Sequence, residues 1–234
     1  YGLAYALGFL AGMWLLHLFC KHGKGVLTPE QQSFTITAMM IGVLLGGRLG
    51  YSLFYGLEET LHRPWVIFQI WKGGMASHGG FIGVFVACWW VAKKLKLSFL
   101  QLGDLLCPLV PPGIFLGRIA NFINGELWGK VSNVSWAVIF PQSTIQGTPV
   151  ELISARHPSQ LYEAGLEGAL LLMYSQWRLW KTDALNSPGR LTGEFLLIYA
   201  VVRVFGEQFR EPDAPLIFDL SRGSFYSLFL LVGG

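Results

Sequence analysis

Charged residues are scarce in this chain: 17 Lys and Arg with 14 Asp and Glu make only 13% of 234 residues. A soluble domain carries about a quarter, so a molecule bathed in water on every side is excluded. No basic stretch or cleavage site stands ahead of the first apolar run, so that run is not read as a cleavable signal peptide. The three cysteines, Cys20, Cys88 and Cys107, have no C-x-x-C spacing. They read as small buried apolar residues. The histidines are scattered and no acidic or cysteine cluster has ligand spacing, so no metal is expected. No glycine-rich loop follows a strand, which argues against ATP or a dinucleotide, and no cofactor is assigned. No internal repeat is visible, and no nucleic-acid partner is expected.

What is abundant is hydrocarbon. Hydrophobic residues are 53% of the chain, with 17 Phe and 9 Trp. Seven apolar segments can be read, roughly Gly2–Cys20, Phe34–Tyr55, Gly74–Ala92, Phe99–Leu116, Gln160–Trp180, Leu191–Phe209 and Ser224 onward. This pattern predicts an all-α polytopic integral membrane protein with seven transmembrane helices and an external loop head. Residues 1–234 are read as a single transmembrane domain, with the head region at about 118–159. Within that region Trp136 to Phe140 suits a short strand. Tyr1 is not a natural start, and the last run stops at Gly234, so both ends are expected to continue.

Orientation follows from the cations in short joints. One set of joints holds Lys21, Lys24, Lys93, Lys94, Lys96, Arg178, Lys181 and Arg190, against Glu30 and Asp183. The opposite, longer set holds Arg63, Lys72, Arg118, Lys130, Arg156, Arg210 and Arg222 with as many acids: Glu58, Glu59, Glu126, Glu151, Glu211, Asp213 and Asp219. The first set is expected inside. The N-terminus is then outside, the C-terminus cytoplasmic, and the long loop external.

The chain is organised around Gly117 to Gly129, G-R-I-A-N-F-I-N-G-E-L-W-G. Arg118, Asn121, Asn124 and Glu126 cannot sit beside hydrocarbon unless they bond each other or a ligand. A helix end held by its own polar side chains is the plainer reading. Arg203, Glu207 and Arg210, spaced i, i+4, i+7, share one face of the sixth segment with Tyr199. Such a face must look into the bundle, as an interhelix ion pair, a phosphate site, or both. His78 is flanked by Gly73-Gly74 and Gly79-Gly80, which predict a weakened helix. It suits a general base that takes a thiol proton, or a histidine that holds glycine-rich backbone in place. Arg48 lies between Gly46 and Gly50, a small-xxx-small pair, and reads as structural before substrate-binding. Asp104 reads as a partner for a helix end or for another polar group. His157 and Glu163 bound a helix start read as a positioning element, with Gln160 and Tyr162 possible cavity-lining groups. His17, His22 and His62 are given no catalytic role.

Beside the Gly117–Gly129 signature, five motifs in order carry a family resemblance: Tyr1-Gly2, Gly46-Gly47-Arg48, His78-Gly79-Gly80, His157-Pro158-Ser159-Gln160-Leu161-Tyr162-Glu163, and the Arg203, Glu207, Arg210 helix. The chain resembles the prolipoprotein diacylglyceryl transferases over nearly its whole length. The resemblance implies a bacterial inner-membrane transferase. Its substrates are phosphatidylglycerol from the lipid bilayer and the lipobox cysteine in the signal peptide of a prolipoprotein. Thiolate displacement at the glyceryl carbon forms a thioether and releases glycerol phosphate. On this reading His78, Arg118, Arg203 and Glu207 are catalytic. Tyr1, Asn121, Glu126, Gly129, Tyr199 and Arg210 bind substrate. Ser221-Arg222-Gly223-Ser224 departs from the family's Met-Gly-Gln type of turn, which leaves that turn without an expected site role. The competing class is a transporter or channel using intramembrane Arg and Glu, for which paired repeats would be expected.

Overall fold

The computed structural model describes residues 1–54, 56–69, 74–212, 218 and 221–233. Of Phe54, Ser77, His78, Arg222, Val232 and Gly233 it describes the backbone alone. Tyr55, Lys72, Gly73, Asp213, Asp219 and Gly234, each used in the sequence reading, lie outside the described residues. The described chain is helical: α1 Gly2–Lys21, α2 Pro29–Phe54, α3 Leu57–His62, α4 Ser77–Leu95, α5 Phe99–Leu106, α6 Val110–Ile123, α7 Ser159–Glu163, α8 Leu171–Lys181, α9 Arg190–Glu207 and α10 Arg222–Gly233. A 3₁₀ turn, Cys107–Leu109, joins α5 to α6, and a π-helical stretch, Ala164–Leu170, joins α7 to α8. Among the described residues three stretches are long and apolar enough to cross a membrane, Gly2–Lys21, Pro29–Leu53 and Phe99–Ile123. Their outer faces carry large bare apolar side chains, such as Leu3 at 74% and Leu10 at 65% exposure. Those faces suit contact with lipid, as expected of a membrane protein.

Local chemistry explains the helix ends. α2 begins five residues before the predicted Phe34 because Thr28 and Gln31 form a capping box ahead of Pro29. α4 begins at Ser77 rather than Gly74, because Gly74 takes φ +76°. The weakened helix expected at Gly79-Gly80 is not found: both residues are helical. α6 runs seven residues beyond the predicted Leu116. It ends where Gly125, at φ +64°, lets Glu126 N donate to Asn121 O (2.9 Å) and Gly125 N to Phe122 O (3.0 Å). Arg118 and Asn121 therefore stand on a helix, not in the loop that was expected from 118 onward.

The predicted strand at Trp136–Phe140 does not form. Val138 makes only an isolated bridge with Arg156, since a turn at Val134–Ala137 and the helical turn Pro141–Ser143 close on either side of it. Among the described residues there is no named strand.

By contact the chain divides into two compact units. Residues 16–103 form one. Its centre is the α2–α4 pair, where Gly42, Gly46 and Gly50 meet Gly79 and Gly83. A Cβ on Gly79 would fall 2.8 Å from the Cα of Gly50 and closer still to the carbonyl oxygen of Gly46. Backbones approach this closely only where side chains are missing. Arg48 is structural here, as read. It donates to the carbonyls of Val66 (2.6 Å), Gly74 (3.1 Å) and Ile67 (3.2 Å) and so ties the turn Pro64–Phe68 to α2. At the far end of α4, Lys93 lies 4.0 Å from the ring centroid of Trp89, and Lys94 sits over Phe34 and Trp90. Cations and aromatics so placed suit a membrane–water boundary.

The second unit comprises residues 1–15 and 104–234. It packs α6, α7 with the π-helical stretch, α8, α9 and α10. Asp104 is the helix-end partner that the sequence suggested. One oxygen accepts from Thr192 N (2.7 Å) and Thr192 Oγ1 (2.8 Å), the other from Gly189 N (2.7 Å). It thereby satisfies the first amides of α9, whose own N-cap, Gly189, has no side chain to do so.

Candidate active site

Six charged side chains meet inside the second unit. Arg118 comes from α6, Glu163 from the end of α7, Glu167 from the π-helical stretch, Arg203 and Glu207 from α9, and Arg210 from just beyond it. The side chains of Glu163 and Glu167 are 0% exposed. Arg203 Nη1 donates to Glu163 Oε1 (2.7 Å) and Glu167 Oε1 (2.9 Å). Arg118 takes their other oxygens: Nη2 donates to Glu167 Oε2 (2.9 Å), and Nη1 lies 3.0 Å from Glu163 Oε2 as an ion pair without hydrogen-bond angles. Arg203 Nη2 donates to Glu207, and Arg210 Nη1 lies 3.4 Å from Glu163 and 3.9 Å from Glu207. Tyr199 stands one turn before Arg203 on the same face of α9.

Three guanidiniums thus face three carboxylates. Buried charges are tolerable only when paired in this way. The spacing argument correctly put Arg203, Glu207 and Arg210 on one face, with Glu207 touching both arginines. It missed Glu167 and gave Glu163 too small a part. A signal was present: two acids four residues apart in an apolar segment, in a chain whose predicted intramembrane arginines outnumbered their acids.

The helices are held for this meeting by missing side chains. A Cβ on Gly168 would stand 2.6 Å from Phe115 Cβ, so the π-helical stretch presses on α6 one turn before Arg118. A Cβ on Gly223 would stand 2.8 Å from Arg203 Nη2 and would also strike Glu207 Oε1. The turn at Ser221–Ser224, for which no site role was expected, therefore closes over the Arg203–Glu207 pair.

A second polar group sits one turn along α6. Asn121, at i+3 from Arg118, shares its face. Asn121 Nδ2 donates to the Tyr1 hydroxyl (2.6 Å), and that hydroxyl donates to Glu126 Oε2. Partial burial, then the bond to Glu126, raises the Tyr1 phenol above its ordinary pKa. The chain after α6 is tied to α7, because Gln160 Nε2 donates to Glu126 O (2.6 Å) and Ser159 Oγ to Leu127 O (3.1 Å). Gly129 is threaded between two backbones: its N donates to His157 O (3.0 Å), and a Cβ there would come within 2.6 Å of Phe209 O. Beside it, His157 packs edge-on to Tyr162 and Phe209, and Trp136 Nε1 donates to the Tyr162 hydroxyl (2.6 Å).

The sequence-predicted residues Tyr1, Asn121 and Glu126 thus form one group, Arg118, Tyr199, Arg203, Glu207 and Arg210 another, and Gly129 fixes the backbone. His78 belongs to the other unit, in the first turn of α4, and its side chain lies outside what is described.

The whole chain, residues 1–234, matches the prolipoprotein diacylglyceryl transferase family. The chain belongs to this family. A phosphatidylglycerol–prolipoprotein diacylglyceryl transferase of Legionella pneumophila (strain Paris) is 46% identical over 220 residues, 93% of this chain and 81% of the relative. Proteins of the same name from Pseudoalteromonas atlantica and Zymomonas mobilis are 44% and 46% identical. They are matched over 100% and 92% of this chain and 81% and 73% of their own lengths. Membership of a transferase family favours the enzyme over the transporter or channel.

Proposed function

We propose that this protein moves the diacylglyceryl group of phosphatidylglycerol onto the lipobox cysteine of a prolipoprotein signal peptide. The cysteine sulfur attacks the glyceryl carbon, and the carbon–oxygen bond to phosphate breaks with its electron pair going to oxygen. Glycerol phosphate leaves, and the product is a thioether. No cofactor is needed, because phosphate is already a leaving group.

The observation that carries the reading is the buried cluster of Arg118, Arg203 and Arg210 in a chain of this family. Negative charge grows on the departing phosphate, and preorganised guanidinium donors stabilise it most where water is scarce. Glutamates occupy some of the arginine N–H groups. Arg118, the most exposed of the three at 16%, is the first to meet the lipid phosphate. Glu207 orients Arg203 and Arg210, and Tyr199 lines the same site. Tyr1, Asn121, Glu126 and Gly129 shape the place of the glycerol headgroup.

His78 is the general base. It receives the thiol proton, which passes to the released phosphate or to water. The protein acts as one membrane-embedded domain with seven spans in the bacterial inner membrane, N-terminus outside and C-terminus cytoplasmic. The region between α6 and α7 forms the external head. The charge asymmetry of the joints supports that orientation.

The test is incubation of the purified protein with phosphatidylglycerol and a lipobox peptide, followed by peptide mass. Gain of one diacylglyceryl group is expected, and an unchanged peptide overturns the reading. His78→Gln should abolish transfer while lipid binding persists. In the wild type the rate should fall as pH drops through the imidazole pKa, about 6.5 when unperturbed. A glutamine variant that keeps its rate and its low-pH limb removes His78 from the chemistry.

A further inference from the structure

Glu167 is buried, charged and unused by the mechanism above. Its surroundings define what it can do. Arg118 faces it from α6 and Arg203 from α9, and Glu163 of α7 shares both of these arginines. Glu207 and Arg210 stand one contact further, and Gly223 of α10 closes over Arg203 and Glu207. The two carboxylates, Glu163 and Glu167, share their work by side. Both Oε1 atoms address Arg203, at 2.7 and 2.9 Å, and both Oε2 atoms address Arg118, at 3.0 and 2.9 Å. The acid pair is therefore a spacer between two guanidiniums carried by different helices. Its own spacing is fixed, since Glu167 lies four residues from Glu163, in the π-helical stretch that begins directly after it. Single π-turns of this kind are a frequent mark of functional sites.

We propose that Glu167 is a positioning residue for the transfer reaction. With Glu163 it sets the separation and plane of Arg118 and Arg203, so that both address one phosphodiester. The proposal rests on the reading of function given above. It differs from a simple stabilising role in one respect. The six charges sum to zero, so the acids do not strengthen attraction for an anionic lipid. Neutralising Glu167 leaves the cluster net cationic and the attraction undiminished, but frees the arginines from their common geometry. Binding and turnover should then part company, because a misplaced donor costs rate rather than affinity.

The experiment compares wild type, Glu167→Gln and Glu167→Asp in lipid nanodiscs, reading turnover, phosphatidylglycerol affinity and the phosphorus resonance of the bound lipid. Glu167→Gln should lose about 100-fold in kcat, the cost of a misplacement near 1 Å, with lipid affinity no weaker than wild type. Glu167→Asp, which keeps the charge on a shorter arm, should recover part of the rate. Wild-type turnover in Glu167→Gln overturns the proposal, as does loss of affinity in step with rate. Should Glu167→Gln fail to fold, Glu167→Asp decides by the same split: reduced turnover with full affinity supports the proposal, and parallel loss overturns it. Should the wild type transfer nothing, the reading of function fails, and the phosphorus resonance decides the positioning. A displaced resonance in Glu167→Gln supports it, and coincident resonances overturn it.

Discussion

The two units differ in what joins the helices at their centres. In residues 16–103, α2 and α4 touch through glycines, and the contact is made by backbone against backbone. In the unit of residues 1–15 and 104–234, α6, the α7 segment and α9 are joined by six charged side chains from three stretches distant in sequence. Hydrocarbon offers no hydrophobic reward for helix association, so packing and polar bonds must supply it. The glycine contact gives closeness and little else. The ionic contact gives orientation as well, because hydrogen bonds are directional. The ionic contact is the more vulnerable to loss of a single group, because each charge it buries depends on its partners.

Breaking the ionic contact should have the largest effect. Arg203→Met removes the cation that touches Glu163, Glu167 and Glu207 together. The acids then remain buried with too little compensation, and the expected loss of stability is about 3–5 kcal/mol. Thermal unfolding in detergent reads it. Adding Glu207→Gln to Arg203→Met should cost less than the sum of the two single changes, since each removes the other's partner. Additive losses would mean that the pair contributes nothing jointly.

The glycine contact should break more gently. Gly79→Ala places a methyl against the Gly46 carbonyl and the Gly50 Cα. Both neighbours are backbone, so neither can swing aside and the helices must separate. Overpacking of this kind costs about 1–3 kcal/mol. Unchanged thermal stability in Gly79→Ala would show that α2 and α4 do not approach as closely as described.

Much of this comparison could be read from the sequence and part could not. Helical segments followed from apolar runs, and Arg203, Glu207 and Arg210 from a 3.6-residue period that needs no knowledge of other helices. Asp104 as a partner for a helix end or another polar group, and Arg48 as structural, followed from the cost of an unpaired charge in hydrocarbon. Glu167 did not follow, because its partners stand 36 and 49 residues away on α9 and α6. A period within one segment cannot say which two faces will meet. The predicted strand at Trp136–Phe140 failed for a related reason: β-propensity describes a side chain's fit to a sheet, and here only Arg156 offers a partner backbone. The extent of α6 was underestimated because polar residues were taken to end a helix, although Arg118 and Asn121 are good members of one when their side chains find partners. Asn124-Gly125 is the true stop.

Glycine itself is the sharpest case of what letters conceal, and it supplies the smallest expected effect. Gly113 and Gly79 both lie within helices and in apolar segments, and the sequence does not show which of them has room for a side chain. Gly79 has no room for a methyl. At Gly113 a Cβ would meet nothing within 4 Å, although the Cα of Gly113 itself lies 3.1 Å from where a Cβ on Gly8 would stand. The α1–α6 contact at this point therefore depends on the absence of a side chain at Gly8, not at Gly113. Gly113→Ala should leave that contact intact. It also removes backbone freedom from the unfolded chain and adds a better helix former, worth up to about 0.5–1 kcal/mol in a helix interior. Thermal unfolding in detergent should show a slight rise or no change, with transfer activity retained. A loss comparable to that of Gly79→Ala would mean that something packs on Gly113 in the membrane, and that the contrast between the two glycines is false.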